Sequence, residues 1–151
     1  MENKPFFSIV IPAYNCSRTI LATLESIAAQ TVSDFEVIIV NDGSKDATAD
    51  VLQEFANMDS RFSFITIPNN GPGNARNQGI ARAQGRYLFL MDADDEIEQH
   101  TLERYQTILT SEVPDLIVAS CNLRVLYNLE IDSEKQVIAE DRTYASNTAV
   151  V

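Results

Sequence analysis

Acidic side chains two residues apart can clasp a cation, and Asp92-Ala93-Asp94 offers that pair straight after the apolar run Tyr87-Leu88-Phe89-Leu90-Met91. If the chain is still extended there, alternate side chains point the same way, so Asp92 and Asp94 share a face while Ala93 turns inward. Two neighbouring carboxylates repel each other unless a proton or a cation intervenes. A hard divalent ion, Mn²⁺ or Mg²⁺, prefers oxygen ligands and also accepts phosphate oxygens. The competing reading is that these acids open a helix, where negative charge favours the N-terminal dipole. Asp95 and Glu96 are expected to serve that purpose. A D-x-D is a short, unspecific signal, and its place at a strand end gives it weight.

Three further places carry polar chemistry. Asp42 precedes Gly43. It is either a turn former bonded to its own backbone or a carboxylate free to accept a base N–H. Tyr14, in Pro12-Ala13-Tyr14-Asn15, is packing material or a flat surface for a base. Arg76, isolated on a helix, reads by default as a solvated charge.

The elements that position these residues follow from periodicity. Short apolar runs at residues 6–12, 35–40, 62–67, 87–91 and 116–121 read as strands. Between them lie helical stripes. Ile20, Leu24, Ile27 and Ala28 form the first, with Ser17 as its expected cap; Val51, Leu52 and Phe55 form the second, capped by Asp46. A third helix starts near Pro72 and carries Ala75, Gly79 and Ala83, small residues that let it lie close to a sheet; Leu102, Tyr105, Ile108 and Leu109 mark a fourth. Strands separated by one helix each are the spacing of βαβ units. The fold class is therefore α/β and Rossmann-like, a mostly parallel sheet with helices on both faces, because near-continuous apolar strands are buried on both sides. Ligands of such sheets sit beyond the carboxyl ends of the strands, and the polar residues above all fall there. Residues 1–121 form the expected core. In residues 122–151 the pattern weakens to short strand candidates at 123–127 and 136–139.

Composition narrows the function. A chain of 151 residues is about one domain, and a net charge of −11 with a pI near 4.3 repels nucleic acid. The same field repels a diphosphate, so an anionic ligand needs local donors or a bound cation. No apolar stretch reaches the ~20 residues of a membrane span, and residues 1–4 lead straight into a strand without a secretory signal. A cytoplasmic protein is expected, with Cys16 and Cys121 as reduced thiols and His100 on a polar helix face. The first strand lacks a following G-x-G-x-x-G, and neither a phosphate-binding G-x-x-x-x-G-K-[ST] nor a G-x-S-x-G elbow occurs.

Four stretches stand in a telling order: Ser8-Ile9-Val10-Ile11-Pro12-Ala13-Tyr14-Asn15, Val40-Asn41-Asp42-Gly43-Ser44, Asn70-Gly71-Pro72-Gly73-Asn74-Ala75-Arg76-Asn77-Gln78-Gly79 and Phe89-Leu90-Met91-Asp92-Ala93-Asp94-Asp95. Together they resemble glycosyltransferase family 2, inverting enzymes with a GT-A fold. The resemblance implies that Pro12, Ala13 and Tyr14 line a nucleotide pocket and that Asp42 pairs with uracil. It places Arg76 near base and phosphates, Asp92 by the ribose, and Asp94 on the metal that bridges the diphosphate. It implies an in-line displacement in which an acceptor hydroxyl attacks the anomeric carbon of a nucleotide sugar, UDP-linked by family inheritance, in polysaccharide or glycoconjugate synthesis. The implied partners are that donor and a saccharide or lipid-linked acceptor, with peripheral association at the inner face of a membrane compatible with both.

The chain departs from the family pattern after the acid triplet. Glu130, Asp132, Glu134, Glu140 and Asp141 are available acids, yet none sits in a recognisable motif, so the catalytic base is unassigned. The expectation is a partial enzyme holding the donor half. The alternative from another class is a non-catalytic nucleotide-binding module of the same fold. A nucleotidyltransferase fares worse, for want of a glycine-rich basic loop after the first strand.

Overall fold

β-branched side chains pack well on a pleated surface, and the two richest runs of them become the middle of the sheet. The computed structural model describes residues 4–111. In chain order these form β1 (Phe7–Ala13), α1 (Ile20–Ala28), β2 (Phe35–Asn41), α2 (Thr48–Met58), β3 (Phe62–Thr66), α3 (Pro72–Ile80), β4 (Tyr87–Leu90) and α4 (Thr101–Ser111). The strands are all parallel, in the order β3-β2-β1-β4. The chain thus winds outward from β1 to β3 and returns to β4 on the other side of β1. That reversal opens a crevice between the carboxyl ends of β1 and β4.

Register assigns the faces. Ile9 lies beside Val37 and Phe89, and Val37 beside Phe62, so these side chains share one face. Phe55 of α2 meets Phe62 with ring centroids 4.8 Å apart, and Tyr105 of α4 meets Phe89 at 5.7 Å. Helix α1 packs beside α2. The opposite face carries Val10, Ile38, Val40 and Leu90 and receives α3. Helices therefore cover both faces, as expected. Helix α3 stops short of β4, whose Leu88 and Leu90 stay about half exposed.

Close approach of α3 depends on Gly79. A Cβ there would collide with Val10 Cγ1 and touch Val40 Cγ2. Gly79→Val is expected to destabilise the fold by about 2 kcal/mol through overpacking. The urea midpoint at constant m reads this, and an unchanged midpoint would mean that α3 can lift freely from the sheet.

Several local expectations need correction. Thr19, not Ser17, occupies the N-cap position of α1, and it makes no side-chain cap bond there. Ala83 lies beyond the end of α3. Ile108 is half exposed, because α4 buries Leu102 and Leu109 instead. Asp95 and Glu96 do not open a helix: α4 begins at Thr101, and residues 92–100 are irregular. Asp95 N bonds back to the Asp92 carbonyl, and the flanking Ala93 carbonyl and Ile97 N are held by side chains of α1, which overrides local helix preference. The fifth strand at 116–121, the later strand candidates, Cys121, the boundary at residue 121 and the acids at 130–141 lie outside the described residues. Among the described residues no helix is long and apolar enough to cross a membrane.

Candidate functional site

The loops after β1 and β2 form one floor. Pro12 is partly buried and Ala13 buried, and the Ala13 carbonyl accepts from Asp42 N at 2.8 Å. Beyond Ala13 the chain turns through Asn15, whose φ of 48° is the left-handed region that Asn tolerates. Asn15 N donates to Ser44 Oγ at 3.0 Å, and Lys45 N donates back to Asn15 Oδ1 at 2.8 Å. Cys16 N reaches Thr48 Oγ1 at 2.9 Å, and Ser17 N reaches Asp46 Oδ2 at 3.1 Å. Asp46 is not the expected cap of α2, since Ala47 occupies the N-cap position without a side-chain cap bond; from one residue before it, Asp46 accepts from Thr48 N at 3.0 Å. The Thr48 hydroxyl, and then Ser17, hold its carboxyl well below the usual carboxylate range. Cys16 is a free thiol whose pKa is raised, chiefly by burial. Tyr14 stands out of this floor, 49% exposed.

Asp42 is a different case from a simple turn former. Its side chain is buried, and it reaches across to the loop before α3. Oδ1 accepts from Asn70 N and Oδ2 from Gly71 N, both at 2.9 Å. Asn69 Nδ2 donates to the Asp42 carbonyl at 3.0 Å. Gly43 is required beside it, because its φ is +69° and a Cβ would come within 2.9 Å of Asn69 N. Each carboxylate oxygen keeps a second acceptor direction. Beside this clasp lies an open cleft of about 390 Å³ lined by Ile67, Pro68, Asn69, Asn70, Asn74 and Gln78. A larger hollow of about 550 Å³ is lined, among the described residues, by His100, Glu103, Arg104, Thr107 and Ile108, which all belong to α4 and the residue before it.

At the β4 end, the Arg76 guanidinium donates to Asp92 Oδ1. Arg76 is thus not merely a solvated charge, and α3 and the acid loop are brought together by an ion pair. Asp92 and Asp94 are exposed and Ala93 is buried, the alternation expected of an extended segment. The strand itself ends at Leu90, however, and Asp95 N turns back to the Asp92 carbonyl at 3.3 Å. Burial, and then the charges of Asp92 and Asp94, push the Asp95 carboxyl up. Among the described residues, no three acidic, His or Cys side chains converge as a ready metal cage. A cation held here would draw most of its ligands from the bound guest and from water, as Mg²⁺ commonly does with phosphates.

Sequence reasoning missed the inner face of α1. Thr19 Oγ1 and Thr23 Oγ1 both donate to the Ala93 carbonyl, at 3.1 and 3.0 Å. Ser26 Oγ accepts from Ile97 N at 3.2 Å. Gln30 Nε2 donates to the Glu98 carbonyl at 2.8 Å, and its Oε1 accepts from Leu102 N at 3.0 Å. The available signal was polar residues at 19, 23, 26 and 30, a helical spacing that lines one side of the helix beside its apolar stripe.

Comparison with known proteins adds what geometry alone leaves open. Residues 8–144 match the family model described as "Glycosyl transferase family 2". EpsH of Bacillus subtilis (strain 168) is 41% identical over 78% of this chain and 33% of its own length. A chondroitin synthase of Escherichia coli is 41% identical over 68% of this chain and 15% of its own. The chain thus spans a third or less of these relatives. TarS of S. aureus, solved as residues 1–349 in complex with UDP, superposes on 70% of this chain and 32% of that one with a TM-score of 0.66 and 30% identity. With the motif order, the parallel sheet and these matches in agreement, the chain belongs to glycosyl transferase family 2.

Proposed function

We propose that this chain is the donor-binding part of a glycosyltransferase that passes a sugar from a UDP-sugar to an acceptor hydroxyl, with inversion and with Mn²⁺ or Mg²⁺. The observation that carries the proposal is a chain of contacts at the carboxyl end of one parallel sheet: Asp42 after β2 holds the loop that leads into α3, and Arg76 of α3 pairs with Asp92 after β4. The likeness to TarS with UDP supports uridine, and the likeness to a chondroitin synthase supports a saccharide acceptor in polysaccharide synthesis. A cytoplasmic setting with peripheral membrane contact is the proposed location.

In this reading Tyr14 stacks on the base above the loop floor of Pro12 and Ala13, and Asp42 accepts the uracil N–H. Arg76 balances Asp92, which lies by the ribose, so that the diphosphate does not meet two bare carboxylates. Asp94 is the exposed carboxylate that remains to hold a divalent ion, and oxygen donors suit Mn²⁺ or Mg²⁺. Bound there, the ion supplies Lewis-acid neutralisation of the leaving diphosphate. The acceptor oxygen forms its bond to the anomeric carbon as the bond to the diphosphate breaks, and a carboxylate base takes the acceptor's proton.

Calorimetric titration of the chain with UDP tests this. Binding is expected with Mn²⁺ and a loss of about tenfold or more after chelation, since the protein's own charge then opposes the ligand. Equal affinity in both conditions would remove the cation from the site. Metal-dependent binding without any transfer or hydrolysis of a UDP-sugar would favour the non-catalytic module. That second reading is motivated by the unassigned catalytic base, since none of the acids at 130–141 sits in a recognisable motif.

A further inference from the structure

We propose that Thr19 and Thr23 of α1 are positioning residues for the acid loop, fixing the spread of Asp92 and Asp94 by holding the Ala93 carbonyl between them. The inference rests on the functional reading above. Residues 92–100 form no helix or strand, so their backbone groups must find partners elsewhere. Helix α1 and the residues at its two ends provide them in sequence: the Thr19 and Thr23 hydroxyls on the Ala93 carbonyl, the Ser26 hydroxyl on Ile97 N, and the Gln30 amide on the Glu98 carbonyl and on Leu102 N at the start of α4. A rigid helix therefore acts as a template for an irregular loop.

The convergence at Ala93 goes beyond satisfying a buried carbonyl. One hydroxyl would suffice for that; two use both lone-pair directions of the oxygen and leave its peptide plane a single orientation. Thr23 is fully buried, so its donor is anchored by its own packing, while Ala93 is buried at 8% exposure and presses the loop inward. With the peptide between them pinned, the exposed acids on either side leave the backbone in fixed directions. Loose carboxylates would splay apart through mutual repulsion. The pinned carbonyl keeps them where one cation and one diphosphate can be met together.

The double variant Thr19→Val and Thr23→Val keeps shape and removes both donors. UDP affinity with Mn²⁺ is expected to fall about tenfold, the size of one to two lost hydrogen bonds. Affinity after chelation should change by less than about twofold, a split that general damage to the fold would not produce. The Asp95 amide should exchange faster with solvent while the amides of β1 do not. Thr19→Ser with Thr23→Ser, which restores the hydroxyls, should stay within about threefold of the native chain. If the double valine variant does not fold, Thr19→Val alone, at an exposed position, carries the test with an expected loss of about threefold. Native-like Mn²⁺-dependent affinity in a folded valine variant, an equal loss in both metal conditions, or a serine variant as weak as the valine one overturns the inference alone. A native chain with no Mn²⁺-dependent UDP binding overturns the functional reading and this inference with it.

Discussion

Asp42→Ala is expected to cost about 3 kcal/mol of stability and to weaken UDP binding on the order of a hundredfold. The stability loss comes from two backbone donors, Asn70 N and Gly71 N, left facing a space where their carboxylate was. Both donors are only part-buried, so each costs about half of the upper end of the roughly 1–3 kcal/mol range for an unpaired buried group. The binding loss has two sources, the missing acceptor for the base and the release of the loop that leads into α3. Asn is a poor rescue, since its amide nitrogen would point a donor at one of those N–H groups. Chemical denaturation and UDP titration separate the effects. A variant that is destabilised yet binds UDP as before would leave Asp42 a purely structural clasp.

Asp94→Asn should have a larger effect on the metal than on the fold. Affinity for UDP in the presence of Mn²⁺ is expected to fall on the order of a hundredfold, at the upper end of what disturbing a metal's surroundings costs. Glu96→Gln, a change of equal charge on the exposed stretch beyond the triplet, should shift it by less than about threefold. After chelation the sign reverses. With one negative charge fewer near the diphosphate, Asp94→Asn should bind UDP as well as or slightly better than the native chain. Weakened binding of similar size in both conditions would show Asp94 contacting the nucleotide directly and not through a cation.

The legibility of this molecule followed the range of the interactions. Strands announced themselves because β1 and β2 are buried on both sides and so are almost wholly apolar, with Ser8, Glu36 and Asn41 as the exceptions. Gly79 and Pro72 were equally readable, one as a close contact and the other as a helix start. The rim residues could be placed by topology alone. What the sequence did not disclose are bonds between residues some 30 to 75 positions apart, such as Thr23 to Ala93 and Asp42 to Gly71. Such partners leave no periodic trace. For the same reason Asp95 and Glu96 read as the start of a helix: local preference is the only visible signal, and the bonds that hold the flanking Ala93 and Ile97 against α1 come from far along the chain. Ile108 shows the limit of a helical stripe, since four apolar positions do not say which of them meets the sheet.

The stitching of Asn15, Cys16 and Ser17 to Ser44, Lys45, Asp46 and Thr48 bears on how a guest arrives. Loops tied to one another have surrendered their conformational freedom during folding, so little remains to be lost at the moment of encounter. In the proposed reading, a base settling on this side meets a seat already shaped, and its arrival need not wait for these loops to rearrange.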